Sequence, residues 1–127
     1  MKIALLVIAG VVQGLSFCNV YAHGDHKPKH GGIMGRGNDE ISVELVMEKR
    51  AVILYIEDET GTPVQTEKVT GTLSVVSPGR PAQEAKLVPA GDNRFSAKGL
   101  TPVPGDRLRA RIILPSGEEL SAIFSFR

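Results

Sequence analysis

The chain has 127 residues, with 15 Lys and Arg against 14 Asp and Glu, a formal charge of +1, one cysteine and no tryptophan. That length holds one small domain rather than two. A charge balance this close to neutral gives no electrostatic basis for binding nucleic acid or an anionic membrane surface.

Residues 1–22 read as a secretory signal peptide. Lys2 supplies one positive charge, Ile3 to Val12 form an apolar block, and Val20-Tyr21-Ala22 ends in a small residue at the expected cleavage point. The apolar block is shorter than the roughly 20 residues of a membrane-spanning helix, so no membrane insertion is expected after cleavage. Lipidation at Cys18 is disfavoured by the bulky Phe17 before it. Cleavage after Ala22 removes the only cysteine together with Lys2, leaving 14 basic and 14 acidic residues. The product then has no thiol for a disulfide, a thiolate metal site or a cysteine nucleophile. Export without disulfides points to a bacterial periplasm or cell surface.

Residues 23–38 read as a flexible, His- and Gly-rich head. The run from His23 to Gly32 holds all three histidines of the chain. Neutral imidazole is a good donor to borderline divalent metals and titrates near neutrality. The expected ligands are His23, His26 and His30, with Asp25 as an oxygen donor and Met34 as a thioether for Cu⁺. Cleavage before His23 would free an α-amine that closes a chelate ring with the Nδ1 of the same residue. Such nitrogen-rich sites favour copper over zinc or nickel. The competing reading is a solvated polar leader, with Met34 a loop residue or packed at the domain edge. On either reading the run from His23 to Gly32 is expected to be dispensable for folding.

From residue 39 to 127 the pattern is that of strands. Ile41, Val43, Leu45 and Met47 alternate with Ser42, Glu44, Val46 and Glu48, which places Met47 in the core and Glu44 on the outer face. Ala51 to Ile56 is apolar on both faces and therefore central. The turn that follows contains Glu57-Asp58-Glu59, which lacks the spaced oxygen series of a calcium loop and reads as solvated. Val69, Gly71, Leu73 and Val75 form the next inward set, broken by Ser77 to Pro81. Gln83 to Val88 reads as one short strand with Ala85 and Leu87 inward, and Arg94 to Lys98 returns with Phe95 and Ala97 inward. In the last hairpin Leu108, Ala110, Ile112 and Leu114 face Leu120, Ala122, Phe124 and Phe126. The expected register pairs Leu114 with Leu120 and Ala110 with Phe124, across the loop Pro115 to Glu119. About seven short strands, frequent turns and no helical stripe predict an all-β fold, an immunoglobulin-like β-sandwich, with a small Greek-key barrel as the alternative.

Little else carries chemistry. Arg107, Arg109 and Arg111 share a strand face with no aromatic platform beside them, as expected of a charged outer face. There is no Gly-x-Ser-x-Gly element, no phosphate loop and no histidine outside the head, so no enzyme is expected.

Several short motifs recur together: His30-Gly31-Gly32, Val43-Glu44-Leu45-Val46, Leu54-Tyr55-Ile56-Glu57-Asp58 with Gly61-Thr62-Pro63-Val64, Pro89-Ala90-Gly91-Asp92-Asn93 and Leu114-Pro115-Ser116-Gly117. On these the chain resembles a group of small periplasmic proteins of proteobacteria, often encoded beside heavy-metal efflux systems and broadly similar to YtkA-like immunoglobulin-type domains. The resemblance covers most of residues 23–127 and rests mainly on turn signatures. It implies an exported sandwich with a connection to metal efflux, and it adds no binding residue beyond the histidines. The expectation is a periplasmic metal-binding or metal-handling protein whose partners are a transition-metal ion and components of an efflux system. The alternative is a non-catalytic interaction or structural module of a cell-envelope complex, its His-rich tail incidental.

Overall fold

A computed structural model describes residues 27–127, which form nine strands in two antiparallel sheets. In chain order the strands are β1 (Ile33–Met34), β2 (Ile41–Glu48), β3 (Ala51–Asp58), β4 (Thr70–Val76), β5 (Gln83–Lys86), β6 (Val88–Pro89), β7 (Arg94–Lys98), β8 (Arg107–Ile113) and β9 (Glu119–Ser125). One sheet has the order β1-β2-β3-β7-β6 and the other β5-β4-β8-β9. The all-β expectation is met. Among the described residues the helical content is a single 3-10 turn, Thr66–Lys68.

The period-two alternation of the strands builds the core. Val43, Leu45, Val52, Leu54, Ile56, Phe95 and Ala97 of the first sheet meet Leu73, Val75, Leu108, Ala110, Ile112, Leu120, Ala122 and Phe124 of the second in one buried cluster. Phe95 and Phe124 are the largest fully buried side chains. Burying a side chain of this class stabilises the fold by about 1.5–3 kcal/mol, so the layered core supplies the main driving force.

The chain steps between the sheets at Leu87. Gln83 to Val88, read as one strand, is divided into β5 in the second sheet and β6 in the first. Leu87 between them is buried in the core, and its N–H donates to the Gly71 carbonyl at 2.9 Å. On the opposite flank Arg36 exchanges backbone hydrogen bonds with Ile123 of β9, at 2.9 and 2.7 Å. That link ties the β1 side of the first sheet to the edge of the second and shields an edge strand from outside pairing.

Three further expectations are corrected. In the last hairpin Leu108 pairs with Phe124, Ala110 with Ala122 and Ile112 with Leu120, two residues from the expected register. A two-residue shift keeps the same side chains inward, so the alternation alone could not select between them. The turn does: Leu114 N–H donates to Glu118 O and Gly117 N–H to Leu114 O, which makes the loop Leu114 to Glu118. Met47 is 40% exposed rather than core, because β1 stops at Ile33 opposite Leu45 and leaves the flank of Met47 open. The first sheet also begins before residue 39, since Ile33 and Met34 pair with Leu45 and Glu44.

Candidate functional site

Two rows of cross-strand partners mark out the outer face of the first sheet. Met34 lies opposite Glu44, and Glu44 opposite Tyr55; in the next row Ser42 lies opposite Glu57. The alternation correctly turns Ser42 and Glu44 away from the core, yet both are buried, at 7% and 4% exposure. What covers them is the chain's own head segment, Lys29 to Gly32.

Glu44 is the anchor of that segment. Its Oε1 accepts the backbone N–H of Lys29 at 2.9 Å and lies 3.0 Å from Nδ1 of His30. Its Oε2 accepts the N–H of His30 at 2.9 Å and that of Gly32 at 2.8 Å. Alongside, the Lys29 ammonium pairs with Glu57 at 2.8 Å. The His30 ring stacks on Tyr55 with centroids 3.6 Å apart and planes 6° from parallel. Burial by itself pushes the Glu44 carboxyl up; the His30 ring and the three backbone N–H groups outweigh it and hold Glu44 below the usual glutamate range.

The tandem glycine after His30 is what lets the backbone make this wrap. Gly31 sits at φ +73°, in the left-handed region that L side chains rarely adopt. At Gly32 a Cβ would lie 2.2 Å from the Leu45 carbonyl oxygen and 3.0 Å from Glu44 Oε2. The motif His30-Gly31-Gly32 therefore has a geometric cause: any other residue at Gly32 lifts the segment off the sheet.

Of the residues singled out from sequence, His30 and Met34 are brought together, lining a small cavity of about 10 Å³ with Glu44 and Tyr55. That is room for about one water-sized sphere. His23, Asp25 and His26 lie outside the described residues. Among the described residues no three His, Cys, Asp or Glu side chains gather as a metal-binding group. Sequence reasoning missed Glu44, Tyr55 and Glu57. The signal was there in part: a glutamate in mid-strand beside a His-Gly-Gly turn that no helix or strand required.

Several other charged groups have structural partners. Asp106, also buried, accepts the Val103 N–H at 2.8 Å and pairs with Arg80 at 3.0 Å. Asp58 accepts the N–H groups of Thr60 and Thr62 and closes its own turn, whereas Glu57, expected to be solvated with it, belongs to β3 and pairs with Lys29. Arg111 is held by both oxygens of Glu119, and Arg109 reaches Ser121, as a charged outer face would have it.

No family model matches this chain, and neither does a curated protein or a solved structure. Among the described residues no helix is long and apolar enough to cross a membrane. The functional reading therefore stands on the chemistry around His30.

Proposed function

We propose that this chain is an exported, non-catalytic metal-binding protein, an immunoglobulin-like β-sandwich whose histidine head takes up a transition-metal ion. The observation that carries the reading is His30, an imidazole held by a buried carboxylate and a stacked tyrosine. Metal-ligating histidines characteristically donate their second ring nitrogen to a carboxylate or carbonyl. One ligand fixed in advance lowers the ordering cost of recruiting the others. His23, Asp25 and His26 stand within seven residues of it in sequence, and Met34 adds a soft thioether in the same cavity lining. Imidazole with thioether favours copper, with zinc or nickel as weaker occupants. The signal segment supports a periplasmic location, and the resemblance supports a role beside metal efflux components.

The test uses cells expressing the full chain, from which the exported product is purified and its N-terminus read by mass spectrometry. Cu⁺, Cu²⁺, Zn²⁺ and Ni²⁺ are then titrated into it and into the His23→Ala, His26→Ala and His30→Ala variants. Copper is expected to bind tightest, and each lost donor to weaken it tenfold or more, about 1.4 kcal/mol. Equal affinity across all four proteins would overturn the reading.

The alternative, an interaction module of a cell-envelope complex, draws on Val76 and Val88, which are 54% and 56% exposed. It predicts no histidine-dependent metal binding, so the same titration separates the two.

A further inference from the structure

We infer that Glu44 is a positioning residue for a metal ion at His30: it holds the imidazole as its Nδ1–H tautomer and so makes Nε2 the ligand atom. This rests on the metal reading above and adds which nitrogen binds and what fixes it.

The assignment follows from counting donors and acceptors. Glu44 faces four groups, three of them backbone N–H donors from Lys29, His30 and Gly32. Three donors converging on a buried carboxyl favour its ionised form, and an ionised carboxylate has no proton to give. The fourth group, Nδ1 of His30 at 3.0 Å from Oε1, must then be the donor. A lone pair there would set two acceptors against each other where the glutamate is only 4% exposed, and low surrounding polarity makes such a clash costly. A neutral imidazole carries one N–H. With it on Nδ1, the lone pair is on Nε2, on the far side of the ring from Glu44.

The ring is held in this orientation from two directions. Turning it over would replace Nδ1 by a carbon opposite Oε1 and forfeit the hydrogen bond. Sliding it sideways would break the parallel stack on Tyr55 at 3.6 Å. Glu44 and Tyr55 are direct partners on β2 and β3, so both supports sit on paired strands rather than on a loop, the kind of backing that fixes a ligand most closely. The hydrogen bond to a carboxylate also raises the basicity of the other ring nitrogen. The ligand class is a borderline or soft transition-metal ion, which neutral imidazole suits.

The experiment uses ¹⁵N-labelled exported product from cells expressing the full chain, free of metal, at about pH 8, above the ordinary imidazole range. Long-range ¹H–¹⁵N correlation of the His30 ring is expected to show Nδ1 protonated and Nε2 bare. Adding Zn²⁺ is expected to shift Nε2 alone. In Glu44→Gln the tautomer preference is expected to disappear and Zn²⁺ affinity to fall by about 10–100-fold, with the strand amide signals retained. A merely structural glutamate would leave the tautomer and the ligand atom unchanged. An Nε2–H tautomer in the native protein overturns the positioning role whatever metal binds, and needs no variant to fold. Zn²⁺ on Nδ1, or unchanged affinity in a folded Glu44→Gln, overturns it as well. A native Nδ1–H tautomer with no response of His30 to Zn²⁺ or Cu⁺ overturns the metal reading and with it the metal role of Glu44, while the tautomer assignment stands.

Discussion

Glu44 and Asp106 are both buried carboxylates, and each is kept charged by a different local device. Glu44 is wrapped by the backbone of Lys29 to Gly32. Asp106 is held below the usual aspartate range first by the Val103 N–H, then, against burial, by Ser77 and Arg80. A carboxyl whose folded pKa lies below its unfolded value stabilises the fold above the unfolded value, near 3.8 for aspartate. That contribution is lost as pH falls through the lower, folded value. Asp106→Asn should therefore lower Tm at neutral pH and flatten the fall of Tm on acidification below about pH 4. Thermal melts of both proteins across that range check it, and parallel curves would show that Asp106 is not held low. Some acid loss should remain in the variant, because Glu44 and Asp58 are also held low. Neither buried carboxylate was legible in the sequence as more than a polar position. Alternation tells which face of β2 a glutamate occupies; it does not tell whether that face is covered, because the cover comes from residues 12 to 15 positions away.

At the scale of elements, the head divides at Lys29. Residues from Lys29 to Gly32 bind the outer face of β2, and Ile33–Met34 extends the sheet. This changes the expectation that the whole run from His23 to Gly32 is dispensable for folding. A chain lacking residues 1–28 should melt at the temperature of one lacking only residues 1–22. One lacking residues 1–32 also loses three backbone-to-carboxylate hydrogen bonds, the His30 stack and the Lys29–Glu57 pair. Glu44 then meets water instead of standing unpaired, so the loss is moderate, about 1–3 kcal/mol. In a domain of this size each kcal/mol lowers Tm by about 4–8 °C. Circular dichroism melts of the two truncations decide it; equal Tm values would mean that the wrapped segment contributes nothing. Strand existence was largely legible, since β2, β4, β7, β8 and β9 follow periodic runs and β3 a continuous apolar one. Register and strand ends were less so. The β8–β9 pairing was fixed by hydrogen bonds inside the Leu114 to Glu118 turn, and the division at Leu87 by which sheet each half joins. Period-two patterning reports on neither.

For the whole molecule, the question is whether the proposed metal builds the fold or only decorates it. The apolar cluster is assembled from both sheets, and its members come from nearly every strand. Such a core is expected to form without a metal, unlike small domains whose core is too poor to fold without an ion. The sequence pattern made an all-β domain legible but not the partition of strands between sheets, because alternation shows that a face is buried and not which face it meets. A single shared core of this size should unfold as one cooperative transition. The metal-free protein is therefore expected to melt in one step, with calorimetric and van't Hoff enthalpies equal. Added copper should then raise Tm only by mass action, by about 2.7 kcal/mol of stability at a free concentration one hundred times Kd. Chelation with EDTA should return Tm to the metal-free value and no lower. The stabilisation should also fade as pH drops below neutrality, since protons compete with metal for imidazole nitrogen. A shift that stays flat into mildly acid solution would assign the ion to carboxylates such as Asp25 and Asp39 instead of the histidines. Loss of the cooperative transition on chelation would place the ion inside the folding unit, contrary to a core that closes between two sheets without it.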